Sequence, residues 1–202
     1  MIVYESNTLV PESLAMSMRE LMLSWNNINP ISQQDQSYDF KHDIEKFGSN
    51  FDTIKDKSWF PNHDEYFTSR WDECDSLGDH DLFTNIMTTY IEPKFREITG
   101  IQDKKRQVLS FTRMPAGGHY RLHQDSKIAK YGFVWYLNID WKWDWGGLLL
   151  TVDKDGNANI NRPIFNNFII LKHTDSVKKW HCVTRVEDYA NEPRLSIVAF
   201  II

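Results

Sequence analysis

From Arg106 to Ile202 the chain is a run of short extended segments, each closed by a turn signal, with no helical period between them. Gln107 to Met114 alternates, and Pro115 to Gly118 is a turn. His119 to Gln124 is extended, and Tyr131 to Ile139 is a strong strand signal. Trp141 to Gly147 reads as a loop before Leu148 to Val152. Asp155-Gly156 is a hairpin turn of the kind that needs positive φ. Asn157 to Asn161, Phe168 to Leu171, Lys179 to Thr184 and Arg194 to Ile202 complete the series. Roughly seven or eight short strands without helices between them predict a mostly β fold, a β-sandwich or double-stranded β-helix (jelly roll).

The first half reads differently. Met1 to Tyr4 suggests a short strand, and Pro11-Glu12 opens a helix, with proline where its missing N–H costs nothing. Leu14, Met18, Leu21, Met22 and Trp25 fall on one helical face and read as core. Asn26 to His63 is polar and punctuated by Asn29-Pro30, Gly48-Ser49-Asn50 and Pro61-Asn62, and reads as a long loop with a helical turn at Asp43 to Phe47. The role of residues 27–78 stays open. Asp79 is placed to cap a helix that runs to Thr99 and ends at Gly100, with Pro93 kinking or splitting it. His42, His63 and His80 read as surface residues. The expected organisation is a single domain over 1–202: residues 1–105 supply helical support and loops packed on the outside, and 106–202 the jelly-roll core.

Composition excludes several function classes. Apolar residues make up 41% and aromatics 14% of 202 residues, as in a globular protein. The net charge of -5, with scattered Lys and Arg, argues against a nucleic-acid partner. No apolar run approaches the roughly 18 residues of a membrane span. Met1 to Tyr4 lacks the start of a secretory signal, and Cys74 and Cys182 are too few for a disulfide framework. A reduced, cytoplasmic setting is the expectation.

Gly117 to Asp125 carries the chemistry. On an extended strand, residues two apart point the same way, so His123 and Asp125 would present an imidazole and a carboxylate to one point. That is two thirds of a facial metal triad, completed by a second histidine. A polar strand end at the surface would show the same triplet. His173 and His181 are the later candidates. His173 lies in a turn-like Lys-His-Thr-Asp context; His181 lies in extended, apolar Trp180-His181-Cys182-Val183, where a histidine without a partner is costly, and is preferred.

Arg194 opens the last strand, and its side chain would share a face with Ser196, Val198 and Phe200. If that face is interior, the guanidinium needs an anion, and its planar fork suits a carboxylate. An internal salt bridge, or an arginine in solvent at the strand mouth, would account for it equally.

The ordered set His123-x-Asp125, His181 and Arg194-x-Ser196 resembles the Fe(II)- and 2-oxoglutarate-dependent oxygenases, and within them the prolyl-hydroxylase-like branch. Supporting pieces are Tyr120 three residues before His123, Trp135-Tyr136-Leu137-Asn138, and Trp145-Gly146-Gly147-Leu148. The resemblance spans roughly Arg106 to Ile202. It implies that His123, Asp125 and His181 bind Fe(II). It also implies that 2-oxoglutarate chelates the metal and extends its far carboxylate to Arg194, with Tyr136 and Ser196 as secondary donors. Dioxygen is the co-substrate, and ascorbate a supporting reductant. The implied reaction is hydroxylation of an unactivated C–H bond, with succinate and carbon dioxide released. Two departures stand out. Collagen-type members often have lysine at the Arg194 position. Met114 stands where many members carry tyrosine, so Tyr136 or Thr112 would serve instead.

The branch suggests a prolyl or other amino-acid residue of a peptide or protein as substrate; a free amino acid or small metabolite is the alternative. Ser126 to Lys130, Trp141 to Trp145 and Trp59 to Trp71 are candidates for the mouth, although the aromatics suit plain packing as well. Arg113, His119 and Arg121 are candidates to meet an acidic substrate group, although plain exposed charge accounts for them more simply. The rival readings are a cupin-type metal protein that does not use 2-oxoglutarate, a jelly-roll binding module, and a Zn(II) hydrolase. The cupin and the hydrolase leave Arg194 unexplained; the binding module does not explain why all three ligand types are present.

Overall fold

A computed structural model describes residues 2–26, 29–34, 68–74, 76–102, 106–123, 130–152, 158–173 and 181–201. The strands, in chain order, are β1 (Ile2–Ser6), β2 (Asn29–Gln34), β3 (Thr68–Glu73), β4 (Arg106–Met114), β5 (Tyr120–His123) and β6 (Tyr131–Tyr136). They continue with β7 (Leu149–Val152), β8 (Ala158–Asn161), β9 (Phe168–Lys172), β10 (His181–Val183) and β11 (Arg194–Ile201). Two antiparallel sheets result. The large one runs β1-β9-β6-β11-β4-β3-β2, and the small one β5-β10-β7-β8.

Strand alternation sorts the large sheet's side chains into two cores. Phe111, Phe133, Trp135, Leu137, Phe168, Ile170, Leu195, Ile197 and Ala199 face one way and pack on the helices. Met114, Val134, Tyr136, Ile169 and Leu171 face the other way and meet Leu149 and Val183 of the small sheet. The layers are therefore helices, large sheet, small sheet. Each large side chain buried fully this way contributes about 1.5–3 kcal/mol.

Helix α1 (Glu12–Ser24) follows Pro11 and buries Ala15, Met18 and Met22. Helix α2 (Asp81–Ile86) is capped by His80, whose Nδ1 accepts from the Leu82 N–H at 3.2 Å, rather than by the expected Asp79. Asp79 instead ends a 3-10 turn, Ser76–Asp79. A π-helical turn, Met87–Ile91, leads into α3 (Glu92–Thr99). Pro93 thus sits in a first turn, where no N–H is required, and the π turn absorbs the break it was expected to cause. Gly100 closes α3 at φ 72°, a left-handed position that suits glycine. Phe83 meets Phe111 edge-on at 4.7 Å and pins α2 to β4.

Strand β2 forms inside the Asn26 to His63 stretch expected to be a long loop, and β3 forms beyond it. β2 pairs with β3 from Asn29↔Glu73 to Gln34↔Thr68, and β3 joins β4 through Asp72↔Arg113. Pro30 misled because proline usually argues against a strand; β2 is at the sheet edge, where a missing donor breaks no ladder. The expected turns at Asp43 to Phe47, Gly48-Ser49-Asn50 and Pro61-Asn62, and the stretch from Trp59 to Phe67, lie outside the described residues. So does the Asp155-Gly156 turn, although β7 and β8 pair across it from Val152↔Ala158 to Leu149↔Asn161.

Candidate active site

Arg194, Tyr136 and Ser196 come together between the sheets. Ser196 stands opposite Tyr136 in the β11–β6 pair, and Arg194 opposite Met114 in the β11–β4 pair. Alternation turns Arg194, Ser196 and Tyr136 to the same interior face, and Arg194 is only 2% exposed. Its Nε donates to the Gly147 carbonyl at 2.8 Å and its Nη1 to Ser196 Oγ at 2.9 Å. The guanidinium carbon lies 5.0 Å from the Tyr136 ring centroid. Among the described residues no carboxylate forms an ion pair with Arg194.

The Tyr136 hydroxyl is buried and has no hydrogen-bond partner among the described residues. Burial pushes its pKa above the ordinary value, and the neighbouring Arg194 acts in the opposite direction. The phenol therefore stays protonated at neutral pH and keeps a proton to donate. Met114, Val134, Ile169, Leu149 and Val183 form an apolar lining in which a charge pair is strengthened. A buried cation lacking a counter-charge, beside a buried hydroxyl lacking an acceptor, fits one missing carboxylate.

Gly147 lets the arginine approach. It holds φ +62°, and a Cβ there would meet Arg194 Cδ at 2.9 Å and Trp141 Cζ2 at 3.2 Å. Trp141 is 2% exposed and donates from Nε1 to the Gly146 carbonyl at 2.9 Å. It is a core residue, whereas Trp143, beneath Arg162, is exposed.

The histidines lie on the small sheet and at its neighbour's edge. His181, the first residue of β10, stands directly opposite His123, the last residue of β5, and has Thr151 on its other side. Cross-strand partners of this kind are about 4.5–5.5 Å apart at Cα. An irregularity between His181 and Val183 puts an extra residue in β5 beside this pair, a common device next to functional sites. His181 is 9% exposed. Its ring centroid is 6.0 Å from that of His173, which follows β9 and packs on Phe200 at 5.9 Å. Gly132 makes room there, since a Cβ would come within 3.0 Å of Phe200 and 3.1 Å of His173.

The two histidines considered as third ligand are thus neighbours, with His181 the one that faces His123 across the ladder. Asp125 lies outside the described residues, as do the side chains of His123 and Arg121 and the segment from Ser126 to Ala129. Among the described residues no group of three or more His, Cys, Asp and Glu side chains is arranged to hold a metal.

Two residues proposed to meet substrate have structural work instead. Arg113 points to the helix side, where its Nη1 donates to the carbonyls of Leu23 and Trp25 at 3.3 and 3.1 Å and so closes the end of α1. His119 is buried, with Nδ1 3.1 Å from the Gly117 carbonyl oxygen.

Comparisons with known proteins find the same two-sheet fold in solved hydroxylases and in an oxidoreductase of an oxygenase family. A prolyl 4-hydroxylase from Pseudomonas putida superposes with a TM-score of 0.55 at 13% identity, covering 98% of this chain and 90% of that one. A prolyl hydroxylase from Trichoplax adhaerens, solved in complex with a hypoxia inducible factor peptide fragment, gives 0.55 at 14%, covering 95% and 90%. An oxidoreductase of the 2OG-Fe(II) oxygenase family from Burkholderia pseudomallei gives 0.50 at 14%, covering 93% and 87%. No curated protein matches the sequence. Residues 109–202 match the family model described as 2OG-Fe(II) oxygenase superfamily. Over those residues the chain resembles that superfamily, and it is prolyl-hydroxylase-like in fold.

Proposed function

We propose that this protein is an Fe(II)- and 2-oxoglutarate-dependent dioxygenase, built on a double-stranded β-helix, that hydroxylates a prolyl or other amino-acid residue of a peptide or protein. The observation that carries the reading is Arg194: a buried guanidinium with no ion-paired carboxylate among the described residues, beside the orphan Tyr136 hydroxyl. A structural salt bridge, which the sequence left open, is not formed there among the described residues.

In this reading His123, Asp125 and His181 would hold Fe(II). Arg194 would bind the far carboxylate of 2-oxoglutarate, with Ser196 and Tyr136 donating from their hydroxyls. Arginine suits the role because it stays charged when buried and presents fixed, planar donors. When bound, the metal and 2-oxoglutarate supply the oxidising chemistry, one atom of dioxygen going to the substrate and one to succinate as carbon dioxide leaves. The protein's part is to orient the two and keep the cavity dry. The fold likeness to prolyl hydroxylases, one of them holding a peptide, supports a peptide substrate.

The test is succinate formation in air by the Fe(II)-loaded protein, with ascorbate and 2-oxoglutarate, against Asp125→Ala. Slow turnover that disappears in the variant and rises with proline-containing peptides is the expected result. Equal succinate from both proteins would overturn the metal assignment. An absence of 2-oxoglutarate binding to the metal-loaded protein would overturn the class.

A further inference from the structure

The fully buried side chain with the densest set of bonds near the anchor belongs to Asn138, two residues beyond Tyr136. It is 0% exposed. Its Oδ1 accepts from the Leu195 N–H at 2.8 Å. Its Nδ2 donates to the Pro193 carbonyl at 2.9 Å and to Glu192 Oε1 at 3.0 Å. These bonds fall immediately before and after Arg194. Glu192 is itself paired with Arg19 of α1, so the bracket is tied to the helix layer.

From this we infer that Asn138 is a positioning residue for Arg194, an inference that rests on Arg194 being the 2-oxoglutarate anchor. Two backbone groups flanking one Cα are held by a single amide. That fixes the point from which the guanidinium must reach both Gly147 and Ser196. The amide is needed for both its ends. An aspartate has the same shape and could still accept from Leu195, but it has no donor for Pro193 and would place a carboxylate against Glu192. An alanine leaves the Leu195 N–H and the Pro193 carbonyl without their partner. Either change frees the strand start to shift, and a shift of about 1 Å in a positioned group is enough to cost a hundredfold in function.

The experiment compares two 2-oxo acids on the anaerobic, Fe(II)-loaded protein by calorimetry. One is 2-oxoglutarate, which has the far carboxylate, and the other is 2-oxobutyrate, which lacks it. Asn138→Ala is expected to weaken 2-oxoglutarate at least tenfold while leaving 2-oxobutyrate and Fe(II) affinity within about twofold. A merely structural role would lower the unfolding midpoint and weaken both acids together, or neither, and either pattern overturns the inference. Should Asn138→Ala fail to fold, Asn138→Asp is read with the same ligand pair and the same expectation. Arg194→Ala separates the two levels: if it leaves 2-oxoglutarate binding intact, the anchor reading itself falls. If it weakens 2-oxoglutarate alone while both Asn138 variants bind like the unaltered protein, only the positioning inference falls.

Discussion

Replacing Arg194 by methionine separates stability from ligand binding, because the two should move independently. The guanidinium is buried with no ion-paired carboxylate among the described residues. Exchanging buried ionic groups for well-packed apolar ones is often neutral or stabilising by about 1–4 kcal/mol. Against that, the Gly147 carbonyl and Ser196 lose donors at 2.8 and 2.9 Å. A buried acceptor left without its donor costs about 1–3 kcal/mol. With two acceptors affected, the ligand-free variant should lie between about 2 kcal/mol more stable and about 5 kcal/mol less stable than the unaltered protein. For 2-oxoglutarate the balance is one-sided: a desolvated carboxylate without its partner costs about 2–5 kcal/mol. That is a loss of roughly 30-fold to several thousandfold in affinity.

Thermal unfolding of the anaerobic, Fe(II)-loaded proteins reads both quantities. At a ligand concentration 100 times the dissociation constant, the unaltered protein gains about 2.7 kcal/mol, or about 5–10 °C for a chain of this size. At the same concentration Arg194→Met should gain less than about 3 °C. A full ligand shift in the variant would refute the anchor. A ligand-free loss above about 5 kcal/mol would instead make Arg194 a structural strut.

Two further outcomes follow from buried groups of the two sheets. Tyr136→Phe removes a buried hydroxyl that has no partner, so the ligand-free unfolding midpoint should hold or rise while 2-oxoglutarate weakens roughly tenfold or more; a lower midpoint with unchanged binding would contradict it. Burial pushes the Cys182 thiol from 9.0 up to about 12. The unfolded chain then loses its thiol proton first, so this group's stabilising contribution is whole below pH 9 and declines as pH rises towards 12. Cys182→Ala should flatten that part of a denaturation series taken across alkaline pH, and an unchanged slope would show that other groups set it.

The sequence by itself was enough to place β4 to β11 within a few residues, because each is a short extended run bounded by turn residues. It also showed that Arg194, Ser196, Val198 and Phe200 share a face, since a period of two is a local property of extended backbone. Other features depended on distant chain. Pro30 reads as a loop until β3 and β4 make β2 an edge strand. Asp79 is the expected cap until the backbone direction at the start of α2 gives that place to His80. Arg113 looks available for an acidic substrate until the end of α1 is brought over it. Trp141 reads as rim or core alike until the two sheets close on it. The opposition of His181 and His123, and the three bonds that Asn138 makes around Arg194, are matters of register between strands far apart in sequence. Local propensity sets which residues extend and which face they take, but what a face meets is decided only when the sheets and helices pack, and the chemistry resides in those meetings.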